Sequence, residues 1–490
     1  MAGRGRNKKV VLEQVAVSDY AAEGKSLARV DGKVIFIQGG AVPGDIVDVR
    51  LSKNKKDWAE GKAVHFHRYA EDRVAPFCAH FGICGGCKWQ MLPYEQQLRY
   101  KHQQVEAALH HIGKLDLPPL DPIIGAEQTT FYRNKLEFTF SNRAYLSEEE
   151  MQTEGWSYRD ALGFHLPGLF DKILDIDTCY LQADPSNLIR NTVRDFALLE
   201  GYDFYDHRAH SGWLRNLVVR TSTTGEVMVN LCIHHEDETQ RRALLDHLLE
   251  RVPAITSLFY TLNSKGNDSI ADLEPVLYHG NDHITEKLER FLFKIGPKSF
   301  FQTNTRQAEK LYGVVRNFAG LGGTETVYDL YCGAGSIGIF LSQEAGKIIG
   351  VEQVAEAVLH ALENARINGI GHASFYQGDV TDVCTDEFFA AHGRPDIVIT
   401  DPPRAGMHDK LVAKLLEMEA PRIVYVSCNP ATQARDLMKL SEKYSVKKIQ
   451  PVDLFPHTHH IENVVLLEKE VGSGVGGEDS GTEKGPLAGT

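Results

Sequence analysis

Short apolar runs punctuated by glycine fill the first stretch of the chain, residues 10–66. Val34-Ile35-Phe36-Ile37 is followed by Gly39-Gly40 and then by Asp45-Ile46-Val47-Asp48-Val49. Closely spaced strands of this kind predict a small β-barrel, a shape often used to bind oligonucleotides. A cysteine-rich loop (78–87) comes next. A helix is then predicted over about 93–112, where Leu98, Val105, Leu109 and Ile112 are spaced to share one face. From about 120 to 290, β runs such as Leu217-Val218-Val219-Arg220 and Val227-Met228-Val229-Asn230-Leu231 mix with helical stretches, an α+β pattern.

From about 297 the rhythm becomes strand, turn, helix. Strands are predicted at Val327–Leu330, Lys347–Val351, Ser374–Tyr376, Asp396–Thr400 and Ile423–Val426, with a helix at 354–368 among those between them. That alternation predicts a doubly wound, Rossmann-like α/β domain. Two late strands, 445–450 and 463–467, are joined by Phe455-Pro456-His457-Thr458-His459-His460. The expected division is a barrel (1–66), a central α+β domain (67–296), the α/β domain (297–468) and a disordered Gly/Ser/Glu-rich tail (469–490).

Composition changes this picture little. With 42% hydrophobic and 24% charged residues in 490, the chain reads as an ordinary globular protein. No apolar run is long enough for a transmembrane helix, and the basic N-terminus lacks the apolar core of a secretory signal. Eight cysteines without a signal argue for reduced thiols, metal ligands or catalysis in a cytoplasmic protein. The net charge of −13 argues mildly against nucleic acid, but residues 1–70 hold 13 basic against 8 acidic side chains. An acidic average leaves room for a basic contact stripe, because screening confines phosphate attraction to roughly 8 Å.

The chemistry concentrates in the α/β domain. Asp329-Leu330-Tyr331-Cys332-Gly333-Ala334-Gly335-Ser336-Ile337-Gly338 follows a strand and opens a helix, so its glycines let the backbone approach a ligand. The pattern alone fits dehydrogenases and methyltransferases alike. Glu352 ends the next strand, where a carboxylate accepts both hydroxyls of a ribose. Asp401-Pro402-Pro403-Arg404 ends the fourth strand and resembles the substrate-edge motif of methyltransferases acting on nucleobases. Tyr331 is placed to lie against an adenine, Asp379 to accept from its amino group, and Gln302 to reach the far end of the cofactor. Cys428, in Ser427-Cys428-Asn429-Pro430, follows an apolar strand at the same edge, and Glu462 opens the final strand. Cys232, Cys332 and Cys384 read as packing residues. The three histidines at 457, 459 and 460 read as loop structure, since their spacing is a poor metal signature.

Over roughly 299–464 these motifs closely resemble the uracil-C5 RNA methyltransferase family. The resemblance implies S-adenosylmethionine (SAM) held by Gln302, Tyr331, Gly333, Gly335, Glu352, Asp379 and Asp401. It also implies Cys428 as nucleophile and Glu462 as proton acceptor. The chemistry requires such a pair. C5 of uracil is too weak a nucleophile to attack a sulfonium unaided, a thiolate adding to C6 activates it, and a base must later remove the C5 proton.

Cys78-x5-Cys84-x2-Cys87, with Cys179 as a distant fourth, suits zinc or an iron–sulfur cluster, and spacing does not choose. The resemblance does. The subgroup acting on 23S rRNA carries an N-terminal TRAM barrel and this cysteine pattern around a [4Fe–4S] cluster, which implies 23S rRNA as partner; no membrane partner and a monomer are expected. The stretch 140–160 reads as an insertion. A tRNA enzyme of the same chemistry and an inactive iron–sulfur RNA-binding protein are the alternatives.

Overall fold

The computed structural model describes residues 10–470 apart from Asp116 and Glu154. Of the tail expected to be disordered (469–490), Lys469 instead ends a strand; the rest beyond Glu470, and the basic start of the chain before Val10, lie outside the described residues.

Seven strands build the α/β domain: β1 (Thr326–Leu330), β2 (Lys347–Glu352), β3 (Ala373–Gln377), β4 (Ile397–Thr400), β5 (Arg422–Ser427), β6 (Tyr444–Val452) and β7 (Glu462–Lys469). Their order is β3-β2-β1-β4-β5-β7-β6. The first five pair in parallel, and β2, β1, β4 and β5 are buried on both faces while β3 at the edge is partly exposed, which is why β4 reads as an unbroken apolar run. Helices cover both sides and divide the core in two. One half packs Leu311 and Val315 of helix Thr305–Ala319 against Val327, Ile348 and Val424. The other packs Leu411, Leu415 and Leu437 against Tyr328, Ile349 and Tyr425.

The chain order reverses between β1 and β4, so their carboxyl ends open a crevice where such sheets bind ligands. β7 enters antiparallel beside β5, with Ser427 opposite Asn463. One step further along that register, Cys428 faces Glu462. Gln433 fixes the alignment by donating to the carbonyls of Tyr425 (3.0 Å) and Asn463 (3.2 Å) from its buried amide.

The predicted helix spans Tyr94–Ala108 and ends in a wider turn at Leu109–Gly113. Its inward face is not the apolar one expected. Ile112 is exposed and Leu98 is half-buried, while Gln97, Tyr100, Lys101, Val105 and Leu109 are buried. Polar groups hold this face because they have partners on the histidine loop. Lys101 Nζ donates to Asp453 Oδ1 at 2.6 Å and to the Phe455 carbonyl at 3.0 Å. Tyr94 donates to Asp453 Oδ2 at 2.8 Å, and Gln97 receives the His457 N–H at 2.8 Å. Leu109 and Val105 join the α/β core, so this helix packs with the α/β domain. So does the hairpin Ile284–Leu288/Phe291–Ile295, whose apolar side chains complete the other half of that core.

Residues 11–68 form six strands on one sheet. Ile35, Ile37, Val47, Val49 and Ala59 fill its inside. Among the described residues its two outer strands do not pair with each other, so a ladder closed all the way round is not seen. The sheet rolls, with Ser18 N–H donating to the Leu27 carbonyl at 2.9 Å. The central domain carries a second seven-stranded sheet, with helices Ser186–Leu199 and Glu238–Arg251 packed on one face. The stretch read as an insertion holds a short helix, Glu148–Gln152, closed by a Ser147–Glu150 capping box.

Candidate active site

The glycine loop after β1 is built from left-handed backbone: Tyr331 at φ 61°, Gly333 at 55° and Gly335 at 78°. The two glycines do different things. A Cβ on Gly333 would meet nothing within 4 Å, so this residue leaves room for a ligand. A Cβ on Gly335 would meet the Phe375 ring at 3.0 Å, so this one lets the helix sit close on the sheet. Glu352 is aimed by two backbone donors, Gly333 N–H at 3.1 Å and Val354 N–H at 2.8 Å.

Gln302, Tyr331, Gly333, Glu352, Asp401, Cys428 and Glu462 all line one cavity of about 620 Å³. Gly335 and Asp379 are not among the lining residues. Asp379 caps the short helix Val380–Val383, accepting from Thr381 N–H (2.9 Å) and Thr381 Oγ (2.6 Å), and these bonds hold its carboxyl below the usual range. Its charge still reaches the Tyr331 phenol, whose pKa rises chiefly through burial and secondarily through Asp379.

A second cavity of about 730 Å³ runs between the rolled sheet, the helix at 94–113 and this crevice. Tyr20, Trp89, Tyr100 and His111 contribute to it. Cys428, Arg404 and His460 line both cavities. The thiol therefore stands where the two spaces meet.

Charge at this junction is unusual. Burial pushes Glu462 well above the carboxylate range, Asp401 adds to that, and Arg404 opposes it. Asp401 reaches the cavity wall yet is enclosed by protein on its other sides, and that enclosure raises it to about 7. Asp329, beneath the glycine loop, is also raised to about 7 by burial, although Gly338 N–H donates to it at 2.8 Å. The Cys428 thiol is pushed up to about 11, first by burial and then by Glu462 and Asp401, with Arg404 pulling it down. The Arg404 guanidinium lies 3.3 Å from His460 Nδ1, and burial lowers His460 to about 3, so its ring is a neutral acceptor at physiological pH. Glu462, Asp401 and the Cys428 thiol, all raised by burial, thus share this crevice with the Arg404 guanidinium, and a further positive charge would favour their anionic forms.

The four N-terminal thiols, Cys78, Cys84, Cys87 and Cys179, line a separate cavity of about 470 Å³ in the central domain. Among the described residues no group of three or more His, Cys, Asp or Glu side chains is gathered closely enough to hold a metal ion. The thiols instead face one another across a mostly apolar space. Burial raises Cys84, Cys87 and Cys179, Cys87 to about 12, and neighbouring thiols add to each shift.

Comparison with known proteins bears on this arrangement. Residues 217–470 match the family described as tRNA (Uracil-5-)-methyltransferase, and residues 9–64 match the TRAM domain. An RNA methyltransferase of Bacteroides thetaiotaomicron is 54% identical over 452 residues, 91% of this chain and 99% of the relative. The chain belongs to the RNA uracil-5-methyltransferase family. Further RNA methyltransferases, from Porphyromonas gingivalis (50% identity; 92% of this chain, 98% of the relative) and Chlorobaculum tepidum (39%; 95% and 98%), resemble it along nearly their whole lengths. The crystal structure of Pyrococcus abyssi tRNA (uracil-54, C5)-methyltransferase in complex with S-adenosyl-L-homocysteine superposes with a TM-score of 0.71 at 26% identity. It covers 93% of this chain and 100% of that one. The mixed α/β fold and the TRAM sheet are those of a uracil-5-methyltransferase, a family whose methyl donor is SAM. Among the described residues no helix is long and apolar enough to cross a membrane.

Two features of this uracil-5-methyltransferase had no clear sequence signal. The buried Lys101–Asp453 pair, both side chains fully enclosed, joins residues 352 positions apart. The Arg404–His460 contact joins two motifs that sequence reading treated separately. Cys232, Cys332 and Cys384 are buried, in keeping with packing roles.

Proposed function

We propose that this chain methylates C5 of a uridine in 23S rRNA through a covalent bond between Cys428 and C6. The observation that carries the reading is the position of Cys428, shared by the cavity that holds the cofactor motifs and the cavity that opens toward the TRAM sheet. SAM, when bound, supplies an electrophilic methyl group and a positive sulfonium charge. Glu352, aimed by its backbone donors, would accept hydrogen bonds from the ribose hydroxyls. Tyr331 would lie against the adenine, Gly333 would give room, and Gln302 and Asp401 would hold the methionine end. Asp379 and Gly335 act one layer out, on Tyr331 and on the helix packing.

On the substrate side, the Cys428 thiolate forms a bond to C6 and the ring electrons move toward O4, so that C5 becomes nucleophilic. After methylation Glu462 takes the C5 proton, the S–C6 bond breaks, and the thiolate leaves with its electron pair. Arg404 stabilises the thiolate, which burial alone would keep protonated. RNA containing 5-fluorouridine tests this: fluorine blocks the last proton removal, so the wild-type chain should accumulate a covalent RNA adduct. An adduct formed equally by Cys428→Ala would overturn the assignment.

We assign Cys78, Cys84, Cys87 and Cys179 to a [4Fe–4S] cluster with a structural role. Four thiols around one cavity, rather than gathered on a point, suit a polynuclear group better than a single zinc ion. Anaerobic purification should give a brown protein with iron and sulfide, and zinc without iron would refute it. Paired with the TRAM sheet, this cluster is the ground for preferring 23S rRNA. The likeness to the Pyrococcus tRNA enzyme favours tRNA as the second reading. Labelled SAM with unmodified 23S rRNA or tRNA decides between them.

A further inference from the structure

The central sheet carries a pair of neighbouring cations without a carboxylate partner among the described residues. On strands Lys135–Ser141 and Leu214–Thr221, Lys135 stands directly opposite Arg220. Like charges in a cross-strand pair destabilise a sheet. Arg220 is only 4% exposed, and Lys135 is half-buried. Neither makes an ion pair with any described residue. Arg220 donates to the Ser299 carbonyl and leaves its buried Nε without a partner, while Lys135 Nζ has no hydrogen-bond partner among the described residues. Burial lowers both pKa values, and Lys135 is lowered further by Arg220 and Arg133. Glu137, two residues along, is the one carboxylate that eases both, and it is exposed and pairs with neither.

The position of this pair suggests its use. Ser299, which receives Arg220, lines the cofactor cavity, and Asn134, beside Lys135, donates to the Gln302 carbonyl at 2.9 Å. The cations therefore sit at the seam between the central sheet and the mouth of the catalytic crevice.

We propose that Lys135 and Arg220 form a phosphate-binding site for the backbone of the RNA strand that delivers the target uridine, a reading that rests on the proposed function. An anion between them replaces repulsion by two charge-assisted contacts. The cost in the RNA-free protein is the mark of a binding site rather than a structural one.

The test is RNA affinity of the full chain across salt concentrations. For Lys135→Met the slope of log affinity against log salt should fall by about 0.7, one phosphate's worth for a single strand. Lys135→Arg should keep the wild-type slope. The melting temperature of the RNA-free Lys135→Met protein should be unchanged or higher, because a repulsion is removed; Lys135→Gln repeats the measurement if the methionine variant does not fold. A wild-type slope in both neutral variants, or a lower melting temperature in both, would overturn the proposal. If the wild-type chain binds and methylates RNA while those outcomes hold, only this site fails. A wild-type chain that binds no RNA overturns this site and the proposed function together.

Discussion

Cys428 and Cys87, a thiol of the central domain, are alike in exposure and in the direction that burial pushes them. Cys428, Cys78, Cys84 and Cys87 share the same intermediate exposure, and burial pushes Cys428 to about 11 and Cys87 to about 12. What differs is the company. After burial, Cys428 is held up by Glu462 and Asp401 and pulled down by Arg404. Cys87 is held up by Cys84, Cys179 and Cys78, with only Gln90 opposing. The first set of neighbours responds to a charged ligand, because carboxyls raised by burial ionise when a cation arrives. The second has no charge to release until a metal takes the protons' place. A thiol's role is set by the titratable groups around it more than by its own exposure.

The sharpest way to break this comparison is to remove one thiol of each kind. Cys428→Ala should lower methyl transfer by about 10⁴-fold or more, as expected for a covalent nucleophile, and abolish the 5-fluorouridine adduct. Its melting temperature should stay near that of the wild type. Labelled-methyl assays and scanning calorimetry measure the two. Glu462→Gln should cost about 10²- to 10⁴-fold in turnover, the range of a lost general base. Because the thiol remains, this variant should accumulate a covalent adduct on ordinary RNA, visible on a denaturing gel. An adduct-free variant with the same loss would place Glu462 elsewhere in the mechanism. Cys84→Ser should do the reverse of Cys428→Ala: a lower melting temperature and lost iron, with activity per folded molecule largely retained.

Much of this contrast could be read along the chain, and what could not has a common physical cause. Asp401, Cys428 and Glu462 each end or begin a strand, and strand ends of a doubly wound sheet converge on one edge whatever the loops do. Their meeting in one cavity follows from topology. The thiols at 78, 84 and 87 are close in sequence, so their meeting is local. The helix at 94–108 is the counter-example. Its apolar spacing put Leu98 and Ile112 on the inward face, but the buried side chains include Gln97 and Lys101. Hydrophobic period assumes that polar groups seek water. Here Asp453 and the carbonyls of the histidine loop supply the partners from far along the chain, and no local pattern announces a partner 352 residues away. The strands of the TRAM sheet were legible because short apolar runs and glycines are local signals, whereas how far the sheet closes on itself is not.

The smallest expected effect isolates charge from packing. Asp401 is raised to about 7 in the cofactor-free protein, against roughly 3.9 for a free carboxyl. A carboxyl whose folded pKa is raised stabilises the protein fully only below its unfolded value. Between about pH 4 and 7 the unfolded chain binds fewer protons, so stability falls as pH rises, and above 7 the loss is complete. Asp401→Asn keeps the shape and removes the titration. In the absence of SAM its melting temperature should match the wild type near pH 4 and exceed it by a few degrees at pH 8, while SAM affinity falls. The corresponding change at the thiol cavity, Cys179→Ser, alters no group that titrates between those values, so it should show no such growing gap in metal-free protein. A flat difference between Asp401→Asn and wild type across that range would mean that the carboxyl is already ionised at rest, and that the crevice does not wait for a cation to charge it.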